Sequence, residues 1–134
     1  MKKILSACLL LLALHFNAFA QEAVRGTELQ PVYQNGRWGY ADPKGKVIIN
    51  TQFDAARPFV DGLAQVGVLD EELPELDARP NIKWGYIDRT GAFVIAPQFK
   101  DTRPFAGGLA HVSTIDGGQR LIDSSGKVIW QLSE

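Results

Sequence analysis

The chain has 134 residues, a formal net charge of −1, 46% hydrophobic residues and 22% charged residues. That is material for one globular domain and not for two. It is too apolar for a chain disordered throughout and too near neutrality for a binder of polyanions.

The first element in the chain is a targeting segment. Lys2-Lys3 is a short basic start, Ile4 to Phe16 is an apolar run, and Ala18-Phe19-Ala20 is an A-x-A cleavage site ahead of Gln21. The run falls short of the roughly 20 apolar residues of a membrane span, and His15 and Asn17 interrupt its far end. Residues 1–20 are therefore expected to be a cleaved signal peptide and residues 21–28 a flexible leader. The mature chain is expected in the periplasm or outside the cell, without membrane insertion. Leu5-Ser6-Ala7-Cys8 resembles a lipobox, but only Ile4 and Leu5 stand between it and the lysines. A signal needs an apolar stretch of roughly 7–15 residues there. Lipidation at Cys8 and an uncleaved anchor are the two alternatives.

Cleavage would leave no cysteine, one histidine (His111), and 12 basic against 15 acidic residues, a net charge of −3. Disulfides within the mature chain and thiolate zinc sites are then excluded. Nucleic acid is excluded as a partner, because the net acidic chain has no basic stripe.

The rest of the chain is a repeat. Residues 37–66 and 83–112 align without a gap at an offset of 46, with 15 of 30 positions identical. Such self-similarity marks duplication. A degenerate third copy, Gln119 to Ile129, keeps an I-D-x-x-G-x-V core but carries Gln119-Arg120 where the others have Trp-Gly. Ahead of the first copy, Leu29-Gln-Pro-Val-Tyr33 is like the L-A-x-V segment of the later units.

These residues carry a family resemblance. Trp38-Gly39-Tyr40-Ala41-Asp42 and Trp84-Gly85-Tyr86-Ile87-Asp88 resemble the WG-repeat family. The downstream Gln-Phe pairs (Gln52-Phe53, Gln98-Phe99), Pro-Phe pairs (Pro58-Phe59, Pro104-Phe105) and Gly-Leu-Ala triplets (from Gly62 and Gly108) resemble it too. The resemblance covers about residues 29–132. It implies β-rich tandem repeats in bacterial, often exported, proteins, and no established catalytic activity, so no functional residue is carried over. The third copy departs at Trp-Gly and lacks the Gln-Phe and Pro-Phe elements, as a terminal cap would.

Turn chemistry gives the strands. Asp42-Pro-Lys-Gly45, Asp88-Arg-Thr-Gly91 and Asp123-Ser-Ser-Gly126 are D-x-x-G turns suited to a type I turn with a G1 bulge. Asn35-Gly36 and Asp116-Gly117-Gly118 are further hairpin signals. The expectation is an all-β fold of tandem antiparallel three-strand meander or hairpin repeats, with about eight or nine short strands. It forms one β domain over residues 29–134, with units at about 29–62, 63–108 and 109–132.

Candidate sites are few. Trp38, Tyr40, Trp84 and Tyr86 recur at fixed repeat positions. Trp and Tyr at i and i+2 share a strand face, and the glycine between leaves room for a neighbouring backbone or ring. Inter-repeat core is one role for them; a stacking platform for sugar rings or a peptide is the other. Arg57 and Arg103 each precede Pro-Phe and are suited to covering aromatic faces or bonding loop carbonyls, or to an anion. His111 with Ser113 and Asp116 has the composition of a hydrolase triad. Residues this close on one strand seldom supply its geometry, and there is no G-x-S-x-G elbow. Phosphate loops are absent, and a lone histidine cannot build a zinc site.

One segment breaks the repeat. Between Val68 and Ile82 the chain inserts a stretch in which five of the eight residues 70–77 are acidic: Asp70, Glu71, Glu72, Glu75 and Asp77. It reads as a solvated loop or as a protruding contact for a partner or a cation. Together these observations give an expectation of no catalytic residues, no metal and no cofactor. The expected function is a binding module for a protein, with carbohydrate or cell-envelope glycan as the alternative ligand and a hydrolase as a third reading.

Overall fold

Tight turns, rather than long hydrophobic runs, set the architecture. In the computed structural model, which describes residues 28–71 and 81–132, ten strands follow one another as an antiparallel ladder with no helix. They are β1 (Gln30–Gln34), β2 (Arg37–Ala41), β3 (Val47–Phe53), β4 (Ala55–Ala56), β5 (Ala64–Leu69), β6 (Ile82–Ile87), β7 (Phe93–Thr102), β8 (Leu109–Thr114), β9 (Gln119–Asp123) and β10 (Val128–Leu132). β1, β2 and β3 form one sheet in that order, and β4 to β10 form a seven-stranded sheet in chain order. Within each sheet every strand lies beside its sequence neighbour, the arrangement expected of a meander; the two sheets part between β3 and β4.

The three D-x-x-G turns are built alike. Gly45, Gly91 and Gly126 have φ of 85°, 87° and 87°, a region that glycine enters without steric cost. Their N–H groups donate to the carbonyls of Asp42, Asp88 and Asp123 at 2.9, 3.1 and 2.9 Å. Each aspartate carboxylate accepts from backbone N–H groups two and four residues on: Lys44 and Lys46, Thr90 and Ala92, Ser125 and Lys127. The hydroxyls of Thr90 and Ser125 also donate to Asp88 and Asp123. They are the largest influence holding those two carboxyls below their ordinary value, reinforced by the turn amides. Asn35 and Gly36, at φ 53° and 80°, make the two-residue turn between β1 and β2 that Asn-Gly favours.

One further hairpin turn lies inside each repeat, ahead of β5 and β8. Asp61-Gly62 and Gly107-Gly108 all have positive φ, closed by the bridges Val60–Leu63 and Ala106–Leu109. The Asp-Gly dipeptide in Val60-Asp-Gly-Leu63 is its sequence signal.

The ladder is bent at the same place in both full repeats. Trp38 pairs with Phe53 and Tyr40 with Ile49, so four steps along β3 face two along β2. Trp84 with Phe99 and Tyr86 with Ile95 repeat the offset in β6 and β7. The extra residues bulge over the intervening glycine. A Cβ on Gly39 would collide with the carbonyl oxygen of Ile49 and lie 2.8 Å from the Thr51 nitrogen; on Gly85 it would lie 2.6 Å from the Ile95 oxygen and 2.8 Å from the Pro97 nitrogen. Pro97 sits in the bulge, where its missing N–H breaks no ladder bond. The second glycine-free comparison is β9. Arg120 stands at the glycine position, and there β10 pairs one-to-one: Trp130 with Leu121, Gln131 with Arg120, Leu132 with Gln119. The Trp-Gly glycine is therefore what lets the following strand buckle.

Past the bulge the strand changes partner. Residues Phe99 to Thr102 of β7 pair with β8, as β4 pairs with β5. β7 is the unbroken counterpart of β3 plus β4. At Asp54 the first copy is interrupted: its N–H donates to the Gly67 carbonyl at 2.9 Å, and its carboxylate accepts from the Leu69 N–H at 2.8 Å. This division is why ten strands appear where eight or nine were expected.

Each repeat closes the core of the one before it. The first cluster gathers Tyr40, Ile49, Phe53, Phe59 and Val66 with Ile87 from the second copy. The second gathers Tyr86, Ile95, Phe99, Phe105 and Val112 with Ile122 from the third. Gly91 and Gly126 of the succeeding turns lie against Ile49 and Ile95.

Candidate functional site

The four recurring aromatics divide by exposure. Tyr40 and Tyr86 are 0% and 1% exposed. Their hydroxyls donate to the carbonyls of Arg57 and Arg103, both at 2.7 Å. Their rings stack edge-on against Phe59 and Phe105, each at 4.8 Å. These tyrosines hold the Pro-Phe corner of each repeat onto its Trp-Gly strand, and as candidate binding residues they are corrected to core. Burial, the dominant cause, pushes the Tyr86 hydroxyl up to about 12 and raises Tyr40 above its ordinary value. The neutral phenol is the stabilised form, so this contribution is complete below the ordinary value of 10.0 and is lost as pH rises through about 12. Tyr86→Phe is expected to cost about 1–2 kcal/mol in denaturant unfolding at neutral pH, since the Arg103 carbonyl loses its donor. The variant should also show a smaller loss of stability than the parent between pH 10 and 12.

Trp84 is covered. The Arg57 guanidinium carbon lies 3.9 Å from its ring centroid. Arg57 reaches across from the end of β4 and donates to Gln65 Oε1 at 2.8 Å and to the Thr102 carbonyl at 2.7 Å. It pairs with the Asp101 carboxylate at 3.1 Å. A planar fork with several fixed donors suits this combination of stacking and bonding. Arg57 thus clamps the first repeat to the second, using both roles the sequence allowed it.

Among the described residues no arginine stacks over Trp38. It is half-buried, and its ring lies 5.1 Å from that of Tyr33, tilted at 52°; Tyr33 is 60% exposed.

Arg103 stands where Arg57 does, one repeat on, and is exposed. Its N–H donates to the His111 carbonyl at 3.0 Å, as that of Arg57 does to Gln65. Its guanidinium has no hydrogen-bond or ion-pair partner among the described residues. His111 is exposed and hydrogen-bonds to neither Ser113 nor Asp116. The Ser113 hydroxyl instead pairs with the Gln119 side chain, at 3.0 and 3.2 Å. Asp116 accepts from the Thr114 hydroxyl, which holds its carboxyl below the ordinary value. The triad composition is not brought together as a triad.

The acidic insertion is described only at its base. Asp70 is 9% exposed, its N–H donates to the Asn81 carbonyl at 2.7 Å, and its carboxylate lies 2.7 Å from Lys83 Nζ. Asp70 closes the loop rather than projecting from it, and is corrected on that point. Glu71 is exposed. Glu72, Glu75 and Asp77 lie outside the described residues, as does the segment 1–27 with its expected signal. Among the described residues no group of three His, Cys, Asp or Glu side chains could hold a metal ion.

A surface that sequence reading passed over lies at the far end. Val128, Ile129, Trp130 and Leu132 of β10 are 41%, 51%, 50% and 54% exposed. Trp130 occupies the repeat position of Ile49 and Ile95, which are 3% and 4% exposed beneath the next turn. The signal was a large aromatic at a core position in the degenerate third copy.

Such an architecture defines a tandem-repeat β protein in which each unit buries its successor's isoleucine. More particularly, the model of the WG containing repeat matches residues 38–68 and 84–117, and the chain is similar to it over those two segments. The matched segments end ahead of β9, so the degenerate third copy lies outside them. No curated protein and no solved structure matches the chain.

Proposed function

We propose that the chain is an exported, non-catalytic recognition module that binds another protein through the open end of its repeat ladder. The observation that carries this reading is β10. Its edge is unpaired among the described residues, and Ile129, Trp130 and Leu132 are exposed. In the two preceding repeats the position of Trp130 is covered by the turn of the following unit. An apolar strand edge with no charge or proline is a template for strand addition by a partner. Export rests on the basic, apolar and A-x-A segments of residues 1–20.

The test uses chain isolated from the cell envelope or medium. Its mass should place the first residue at Gln21. Captured partners should be retained by the parent and lost from Trp130→Ala, with affinity falling about 30-fold as for an aromatic anchor. Stability should change by no more than about 0.5 kcal/mol, because the side chain is half exposed at the edge strand. Equal capture by both proteins would refute the assignment.

Glycan binding is the second reading, and the exposed Tyr33 beside Trp38 favours it. Tyr86 is buried, and Arg57 already stacks on the half-buried Trp84 ring. Quenching of fluorescence by envelope glycans that disappears in Trp38→Phe but persists in Trp130→Ala would select this reading over the first.

A further inference from the structure

The two repeat junctions are built on one plan, and one of them lacks its centrepiece. At the first, the guanidinium of Arg57 is saturated by the Trp84 ring, Gln65 Oε1, the Thr102 carbonyl and the Asp101 carboxylate. At the second, Arg103 takes the place of Arg57, His111 that of Gln65 and Gln119 that of Trp84. The third copy has no Gln-Phe segment among its described residues, so nothing there corresponds to Asp101 and Thr102. A small cleft remains, of about 90 Å³, lined by Asp101, Thr102, Arg103, His111, Ser113 and Gln119.

We propose that this cleft is a binding site for a carboxylate group, held by Arg103 with His111 and Gln119 beside it. Four observations converge on that chemistry. The donor set is a planar guanidinium without a partner among the described residues, an imidazole, a hydroxyl and an amide, all on or beside adjacent strands. The missing component at the equivalent junction is itself a carboxylate next to a backbone carbonyl. Arginine matches a carboxylate with two parallel N–H donors. The acidic group in the lining, Asp101, is paired with Arg57 at 3.1 Å and forms no ion pair with Arg103. The Ser113–Gln119 pair is a mutual side-chain contact at the surface, free to reorient toward a ligand.

The site deepens the recognition reading if the carboxylate belongs to an acidic side chain of a partner polypeptide, yet it stands without β10. Its test therefore uses probes that need no partner. Full-length chain labelled with ¹⁵N is titrated, at constant ionic strength against chloride, with acetate and with an N-acetylated peptide copying residues 97–103 (Pro-Gln-Phe-Lys-Asp-Thr-Arg). The Arg103 Nε–H and His111 ring resonances should shift saturably, and those of Arg57 should stay in place. Arg103→Gln should abolish the response, whereas His111→Gln, which restores the residue of the first repeat, should weaken it while keeping it saturable. Changing the peptide's aspartate to asparagine should lower affinity roughly tenfold, the scale of a hydrogen bond to a charged group. A peptide at least tenfold tighter than acetate assigns the site to polypeptide ligands; equal affinity assigns it to free carboxylates. Shifts that grow linearly, that match chloride, or that survive Arg103→Gln overturn the proposal. Because Arg103 is exposed, its replacement leaves the fold intact, and an unchanged amide spectrum elsewhere checks this. Loss of the acetate response with partner capture retained would sink this site and leave the β10 reading standing.

Discussion

Gly85→Ala is expected to destabilise the protein by about 3 kcal/mol, lowering the midpoint of thermal unfolding by roughly 15 °C. The added methyl would meet the Ile95 oxygen at 2.6 Å, the Pro97 nitrogen at 2.8 Å and the Ala96 carbonyl carbon at 3.0 Å. All three are backbone atoms of β7, so no side chain can swing aside. Relief requires the bulge to unbend, and the bulge is what carries β7 from its pairing with β6 to its pairing with β8. Gly45→Ala gives the contrasting case. Its φ is 85°, but no atom lies within 4 Å of the added carbon. The expected cost there is the left-handed backbone alone, about 1–2 kcal/mol. Thermal unfolding of the two variants side by side separates close approach from backbone conformation. A smaller loss in Gly85→Ala than in Gly45→Ala would show that the bulge over Gly85 does not hold in solution.

Arg57→Gln is expected to cost about 2–3 kcal/mol, while Arg103→Gln changes stability by less than about 0.5 kcal/mol. The two arginines occupy the same repeat position and precede the same Pro-Phe pair. Arg57 gives up its place over Trp84, its bonds to Gln65 and the Thr102 carbonyl, and its pair with Asp101. Stacking adds about 0.5–1 kcal/mol to the charged hydrogen bonds at a partly exposed position. The Asp101 ion pair adds little, because both side chains are well exposed, 37% and 49%. Arg57→Lys should recover only part of the loss, since an ammonium cannot stack and bond in one plane. Denaturant midpoints for the three variants check the ranking. Equal effects at residues 57 and 103 would mean that the clamp contributes nothing beyond its own corner.

The contrast between these arginines shows where sequence reading reaches its limit. Duplication placed Arg57 and Arg103 ahead of the same Pro-Phe pair, so both carried the same roles. Their surroundings differ: Trp84 against Gln119, Gln65 against His111, and Asp101 with Thr102 bound to Arg57 alone. Those neighbours are set by pairing between strands distant in sequence, which no local pattern reports. The tyrosines follow the same logic. Tyr40 and Tyr86 sit on the same strand face as their tryptophans, yet the tyrosines are sealed under Phe59 and Phe105 while the tryptophans are half-open. Period two places residues on a face but does not say which part of that face the next segment covers.

What the sequence determined by itself was local and repetitive. Asp-x-x-Gly wrote three turns, because aspartate bonds the amides ahead of it and glycine accepts positive φ. Asn35-Gly36 wrote the first hairpin, and the repeat fixed an all-β meander with a degenerate end. What the tertiary structure decided was how far each strand runs and what it leaves uncovered. The Trp-Gly glycines proved to be spaces for a buckled backbone, and with Arg120 in their place β10 pairs one-to-one from Trp130 to Leu132. Asp70 turned inward to Lys83, and Trp130 turned out at a position that is core in its two predecessors. The buckle over each glycine and the pairing of Arg120 are settled between adjacent strands of one repeat, whereas the burial of Asp70 and of the Trp130 position depends on residues of another strand or turn that no local pattern reports.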